Sequence, residues 1–357
     1  MIGNEQLRVV LYGDGLVPNT GGFCYAAALR ELGHDVVCVS ERAEIELYSK
    51  ALWARALRRV RGQPLELHRR RHIERLTRAV SQASADLVIV LKGLLIGPDD
   101  VGALQRSGAW VANINHDDFF SQNPHNWSTL QRRAIPSYDF IFTTREVNLA
   151  EVAPLNPRVE FMPFAYHPAI HRPLEISSEE RARWESDVAF IGTWERERCR
   201  LLEQLVRAVP ARYSIWGSDW QRVSRRSPLR PYLKYGAVMG DEMAKAIGSA
   251  RISLGFLRKL NRDDYTQRTF EIPACGGVLL AERTARHQSY YVEGVEAEFF
   301  DSADAGELIR KVQALLSDRP RTESIRAAGR TALLRQHHTY RDRMQQLIEV
   351  YRRRARL

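Results

Sequence analysis

Short runs rich in Val, Ile and Leu recur along the whole chain, each followed by a stretch whose apolar residues fall at helical spacing. Residues 8–12 (RVVLY), 35–40 (DVVCVS), 86–91, 110–114, 140–143 and 159–162 read as strands, with helices over 23–32, 99–107 and 130–134 among them. These runs are apolar on both faces, as strands must be when helices cover both sides of a parallel sheet. The alternation stops at 163–186, where the chain turns polar and is punctuated by Pro163, Pro168 and Pro173. It then resumes with strands at 187–191, 212–216, 252–255 and 277–281, helices over 197–208, 240–247, 305–316 and 323–336, and a final amphipathic helix over 340–356. The pattern predicts an α/β chain of two doubly wound parallel-sheet domains: 1–168, a linker at 169–186, and 187–338. A C-terminal basic helix at 339–357 is expected to pack back on the first domain. Ligands of open parallel sheets sit at the carboxyl ends of the strands, so two facing sheets predict a cleft between domains.

A chain of 357 residues can bury a core in each of two such domains. No apolar run reaches the length of a membrane span; the best, 87–96, is short and holds Lys92. Arg8 leads into a strand rather than a cleavage site, which argues against a signal peptide. Cys24, Cys38, Cys199 and Cys275 lie far apart, without metal-ligand or redox spacing, and point to a reducing cytoplasm and to no structural metal.

Fifty-three basic against 43 acidic residues give a net charge of +10, and the excess is clustered. A basic helical segment at 43–85 gathers Arg55, Arg58, Arg59, Arg61, Arg69, Arg70, Arg71, Arg75 and Arg78, and Arg352, Arg353, Arg354 and Arg356 end the chain. Such clusters suit an anionic or membrane-associated partner at the inner face of a membrane: a glycan, a lipid or a protein. Nucleic acid is disfavoured, because readers of single strands interleave aromatics with the bases and 51–82 holds only Trp53.

Residues 263–280 (DDYTQRTFEIPACGGVLL) carry the densest chemistry. The spacing predicts a loop at 263–267 and a short helix at 268–275, ended by Gly276-Gly277. Backbone amides at the helix start and Arg268 would face an anion, while Glu271, one turn in, can accept both hydroxyls of a diol such as a ribose. The segment is built like a nucleoside-diphosphate cradle; the competing reading is a buried helix in which Arg268 and Glu271 pair with each other. Gly21 and Gly22, between strand one and helix one, let a ligand approach the backbone. They lack the three spaced glycines of a dinucleotide site, and no acid closes the second strand. His116, Asp117 and Asp118 follow the strand at 110–114, where a His beside carboxylates can serve as a general base. Three consecutive residues cannot all turn to one metal ion without strain.

The 263–280 segment resembles the C-terminal half of GT-B glycosyltransferases, in particular the family 4-like and CgeB-like (spore-maturation protein) groups. Those proteins carry a carboxylate, seven residues, then Glu before an Ala-Cys-Gly turn and an apolar strand. Here the pattern is Asp263, seven residues, Glu271, then Ala274-Cys275-Gly276, with Asp where family 4 usually has Glu. The loop at 18–23 with the 28–37 stretch (ALRELGHDVV), and the His-Asp pair after residue 115, also resemble the N-terminal half of these enzymes. The resemblance implies two Rossmann-like domains in a GT-B arrangement, the first on the acceptor side and the second binding the nucleotide sugar, with kinship closer to CgeB-like proteins than to family 4 proper. It implies that Glu271 holds the donor ribose and Asp263 the donor sugar, and that Tyr265, Thr266 and Gln267 meet the diphosphate through backbone amides. Arg196 or Arg198 would add a cation for the leaving group, Gly236 and Val238 would line the nucleobase, and the loop with Gly21 and Gly22 would lie over the donor.

The expected function is transfer of a sugar from a nucleoside-diphosphate sugar, a co-substrate rather than a cofactor, to an acceptor hydroxyl or other nucleophile without an obligatory metal. Inversion at the anomeric carbon would require a base, with His116, Asp117 and Asp14 as candidates. In retention the leaving phosphate takes the proton and His116 positions the sugar. Two further readings stand beside this one: a nucleotide-sugar epimerase of the same fold, and a non-catalytic polyanion-binding protein on the same scaffold.

Overall fold

The computed structural model describes residues 6–14, 16–40, 66–121 and 126–354. Of the basic segment expected at 43–85, residues 43–65 lie outside the described residues, Arg55, Arg58, Arg59 and Arg61 among them, as does Arg356. Tertiary contacts divide the chain into two units. Unit 1 comprises Met1–Phe164, Lys259–Arg262 and Tyr340–Leu357; unit 2 comprises Ala165–Arg258 and Asp263–Thr339.

In unit 1 the chain runs β1 (Arg8–Gly13), α1 (Gly21–Glu31), β2 (Asp35–Ser40), α2 (Glu66–Ala83), β3 (Leu87–Leu91), α3 (Pro98–Gln105), β4 (Trp110–Asn115), α4 (Thr129–Ala134), β5 (Phe140–Thr143), α5 (Glu146–Val152) and β6 (Val159–Phe161). The strands form one parallel sheet in the order β2-β1-β3-β4-β5-β6. Every residue of β3 (LVIVL) is buried, so both faces of the sheet are covered; each such side chain contributes about 1.5–3 kcal/mol. Thr20 starts α1, its hydroxyl accepting from the Phe23 N–H, and Gly33 closes it at φ +88°. On α2, His72, Leu76 and Val80 face inward, while Arg70, Arg71, Arg75 and Arg78 are exposed.

Unit 2 runs α6 (Arg181–Trp184), β7 (Ser186–Ile191), α7 (Arg196–Ala208), β8 (Tyr213–Trp216), α8 (Gly240–Gly248), β9 (Ala250–Gly255), α9 (Arg268–Ala274), β10 (Leu279–Glu282), α10 (Ala285–Tyr290), β11 (Glu298–Phe300), α11 (Ala305–Ser317) and α12 (Arg319–Arg335). Its sheet is also parallel, in the order β11-β10-β9-β7-β8. The core gathers Val188, Phe190, Ile252, Leu254, Leu202, Leu308 and Val312 from strands and covering helices. The expected doubly wound α/β class is therefore observed in both units. The last helix, α13 (Tyr340–Arg354), belongs to unit 1 and packs on α1, with Tyr340 edge-on to Tyr25 at 4.8 Å between centroids.

Three features differ from the sequence expectation. Helices α5 and α10 occupy stretches too short to show a helical period. Helix α12 begins at Arg319 rather than 323, because Asp318 accepts from the Arg321 N–H at 3.0 Å and Pro320 suits a first turn. The four residues Lys259–Arg262 join unit 1, where Arg262 forks onto the buried Asp118 (2.6 and 2.7 Å) and reaches Glu151 at 2.7 Å.

Candidate functional site

Each sheet changes winding direction at one pair of strands, β1/β3 in unit 1 and β7/β9 in unit 2. The carboxyl ends of such pairs open crevices where open α/β sheets take ligands.

In unit 2, β7 opens into Gly192-Thr193 and β8 into Gly217, and the two backbones touch. A Cβ on Gly217 would sit 2.0 Å from the Gly192 carbonyl oxygen. Gly217 donates to the Gly236 carbonyl at 2.8 Å, which holds the 235–239 loop over the same strand ends, with Tyr235 and Met239 exposed and Val238 buried. Arg268, at the start of α9, donates through Nε to the Ile191 carbonyl at 3.2 Å and through Nη1 to Glu271. Its guanidinium thus sits at the end of β7, half-buried. Cys275 caps α9 and Gly276 follows at φ +75°. Gly276 and Gly277 donate back to the carbonyls of Pro273 (3.0 Å) and Ile272 (2.8 Å), closing the helix where the two glycines predict.

Glu271 is 2 % exposed, and one further partner holds it. His171 Nε2 lies 3.3 Å from Glu271 Oε1, while His171 Nδ1 accepts from the His167 backbone N–H at 2.8 Å. The Nδ1 bond leaves the ring proton on Nε2, facing the carboxylate. Burial lowers the His171 pKa even though Glu271 pulls it upward, so the ring is a neutral donor at pH 7. The Arg268–Glu271 contact anticipated by the competing reading is therefore present, but it is one part of a three-residue group. Each carboxylate oxygen keeps a second lone pair beyond His171 and Arg268.

Asp263 accepts from the Arg258 backbone N–H at 3.3 Å, and Arg258 pairs with Glu195 at 2.8 Å. The 263–267 loop is fastened from beneath. The Thr266 N–H donates to Thr269 Oγ1 (3.2 Å), which contacts His287 Nε2 at 2.9 Å, and the Tyr265 ring is buried against Phe270 and Tyr290. The Thr266 amide is thus engaged within the unit. Arg196 and Arg198 part company: Arg198 is buried, donating to the Thr193 and Phe256 carbonyls at 3.2 Å each, whereas Arg196 is exposed, with no ion partner among the described residues. The helical period explains the split, because residue 198 falls on the inner face of α7 with Leu202 and Leu205.

In unit 1, Asp14 follows β1 and accepts from the Gly22 N–H at 3.1 Å, so one amide of the first turn of α1 is taken by a carboxylate of the same chain; the Gly21 N–H has no partner among the described residues. After β4, the His116 ring stacks with those of Tyr25 and Phe164, and the Tyr25 hydroxyl is 2.9 Å from its Nε2. Nδ1 is the ring nitrogen without a partner among the described residues. Burial pushes the His116 pKa down to about 4; Asp14 and Asp117 resist the shift, while Arg145 and Lys92 reinforce it. Asp117 pairs with Lys92 at 2.7 Å. Burial alone would raise its pKa, but the Lys92 ammonium, together with Arg145 and His116, more than offsets this and the net shift is downward, which weakens Asp117 as a base. Asp118 is fully buried and spent on Arg262, Asn148 and the Phe120 N–H.

Two groups in these sites escape sequence reading. Tyr25 stands one helical turn beyond Gly21, a spacing that could have revealed it. His171 lies in the Pro-punctuated connection with no periodic pattern around it. Among the described residues, no group of three His, Cys, Asp or Glu side chains is placed to hold a metal ion, and no helix is long and apolar enough to cross a membrane.

Residues 196–349 match the family model described as glycosyl transferase-like, a span that contains α9 and its preceding loop. No curated protein matches the sequence. Among solved structures, sucrose-phosphate synthase from Thermosynechococcus elongatus superposes with a TM-score of 0.65 at 11% identity, covering 98% of this chain and 99% of that one. A glycosyltransferase from Rickettsia africae gives 0.64 at 12% identity (98% and 99% covered). Anabaena HepE, in complex with UDP and glucose, gives 0.63 at 10% identity (96% and 99% covered). At such identities the likeness is one of fold: the chain has the GT-B glycosyltransferase fold, and its segment 196–349 is glycosyl transferase-like.

Proposed function

We propose that the protein is a glycosyltransferase that moves a sugar from a nucleoside-diphosphate sugar to an acceptor nucleophile without an obligatory metal, and that it stands nearer the CgeB-like proteins than family 4 proper. The observation that carries this reading is the Arg268–Glu271–His171 group at the carboxyl end of β7, inside the segment that matches the glycosyl transferase-like model. Neighbours of the same fold support it, since HepE has been solved with UDP and with UDP-glucose.

In this reading the remaining lone pairs of Glu271 accept the ribose hydroxyls, with His171 holding the carboxylate in place. Arg268 and the exposed Arg196 stabilise the departing diphosphate, as preorganised cations must where no metal does so. Asp263 holds the donor sugar, and the loop of Gly236 and Val238 lines the base. His116 Nδ1 either positions the sugar, when the leaving phosphate takes the acceptor proton, or removes that proton itself. Its low pKa keeps it neutral at pH 7, as either role requires. The exposed arginines of α2 are assigned to an anionic acceptor, which would place the enzyme at the inner face of a membrane.

Calorimetric titration with UDP, GDP, dTDP and ADP, EDTA present, tests the donor site. One nucleotide is expected to bind selectively, and Glu271→Ala to weaken it at least tenfold, about 1.4 kcal/mol. A folded protein that binds none of the four overturns the proposal.

A further inference from the structure

At the opposite edge of the unit 2 sheet, where β9 begins, a cavity of about 570 Å³ opens between the ends of α8 and α9 and the flank of α12. The loop at 263–267 of the proposed donor site follows the other end of β9, and α9 runs from that loop back to the cavity, with Glu271 four residues before Cys275 and His171 two residues before Pro173.

Positions 319, 323, 326 and 330 of α12 recur at helical spacing and present one face to this cavity. Their side chains have different fates. Arg326 is consumed by the fold: it donates to the Ala250 carbonyl at 2.9 Å and to the Gly276 carbonyl, closing the carbonyl end of α9, and it takes Glu323 at 3.1 Å. Arg251, on the cavity wall, donates to the Leu316 carbonyl at 2.6 Å. The other lining carboxylate, Glu185, lies 3.7 Å from Arg212. Arg319 and Arg330 have neither a hydrogen bond nor an ion pair among the described residues, and the Nε of Arg330 is buried without a partner. A buried donor left unpaired opposes folding, and an acceptor oxygen on a ligand would satisfy it.

Apart from Ser249, the side chains of the remaining wall are apolar or absent, and the wall is cut back. Ala327 and Gly276 leave the space open, and Gly276 is held to glycine by its φ of +75°; a Cβ there would make only ordinary contact with Pro173 at 3.4 Å. The volume suits a small organic molecule rather than a bare ion. Guanidinium forks match phosphate oxygens, and eleven residues of helix set the Cα atoms of Arg319 and Arg330 roughly 16 Å apart. The two arginines therefore join the cavity lining from positions three turns apart on α12.

We infer that this cavity binds a small molecule carrying two phosphate groups, one end on Arg330 and the other on Arg319, with its carbon body against Ala327 and Pro173. The proposal is independent of the donor-site reading. It is tested by calorimetric titration with fructose 1,6-bisphosphate, fructose 6-phosphate and inorganic phosphate. The bisphosphate is expected to bind at least tenfold more tightly than either other probe, and equally to wild type and to Arg268→Ala, which removes the cation of the β7 site. The double variant Arg319→Ala/Arg330→Ala, and separately Ala327→Trp, which fills the cavity from an exposed position, are each expected to weaken binding at least tenfold, with circular dichroism unchanged. Absence of bisphosphate binding, equal binding of mono- and bisphosphate, loss of binding in Arg268→Ala, or retention in the two cavity variants would overturn it.

Discussion

His287 shows how a single buried ring ties the stability of unit 2 to pH. Its Nδ1 lies 2.7 Å from the Glu282 carbonyl, its Nε2 meets Thr269, and burial pushes its pKa down to about 4. Below about pH 6.5 the unfolded chain takes up a proton that the folded ring refuses, so its stabilisation is complete above pH 6.5 and is lost as pH falls toward 4. Between pH 7.5 and pH 5 this one group should cost about 2 kcal/mol. Urea unfolding at the two pH values should show that loss, and His287→Asn should lessen it by about the same amount; an unchanged pH slope in the variant would exclude the assignment. Single residues were partly legible in the sequence. Arg268 and Glu271 declare themselves through spacing, and Asp14 and His116 through their place after strands. The roles of His171 and His287 were not legible, because each depends on a partner in a different element.

Between elements, backbone approach decides what a position tolerates. Gly217 follows β8 at φ +137° with the Gly192 carbonyl oxygen 2.0 Å from where a Cβ would stand, whereas Gly236, at φ +122°, has no atom within 4 Å of that position. Gly217→Ala must therefore push two strand ends apart, at about 2–4 kcal/mol. Gly236→Ala meets only the backbone preference, at about 1–2 kcal/mol. Chemical denaturation of the two variants should rank them in that order; equal losses would mean that the strand ends yield freely. Helix α9 was legible, since Gly276-Gly277 can only end it, and so were the strands, whose buried runs leave no other choice. The start of α12 was missed because its cap, Asp318, lies outside the apolar period.

The whole molecule is two units whose chain segments interleave, and α13 is the clearest case. Tyr340, Met344, Leu347, Ile348 and Val350 are buried, and Arg343 donates to the Pro163 and Phe164 carbonyls at 2.9 and 3.2 Å. Five buried side chains at about 1.5–3 kcal/mol each amount to the order of 10 kcal/mol, as much as a domain's whole stability. A chain ending at Thr339 is expected to lose the fold of unit 1. Limited proteolysis should then cut the first 164 residues rapidly while a unit 2 fragment persists. A truncated chain as resistant as the full one would show that α13 is dispensable.

Hydrophobic period, glycine placement and the charges spaced along one short stretch were enough to establish the class of fold and the order of most of its elements, and to single out the 263–280 segment. Each of these is a local property of the chain. Folding in three dimensions was needed to turn Arg198 inward while Arg196 stays exposed, to close His171 on Glu271, and to assign Lys259–Arg262 to unit 1. The same is true of Arg319 and Arg330, which line a cavity whose carboxylates, Glu323 and Glu185, lie with Arg326 and Arg212 instead. These outcomes depend on which carbonyls and carboxylates distant segments bring within hydrogen-bonding reach, and no periodicity along a chain encodes that.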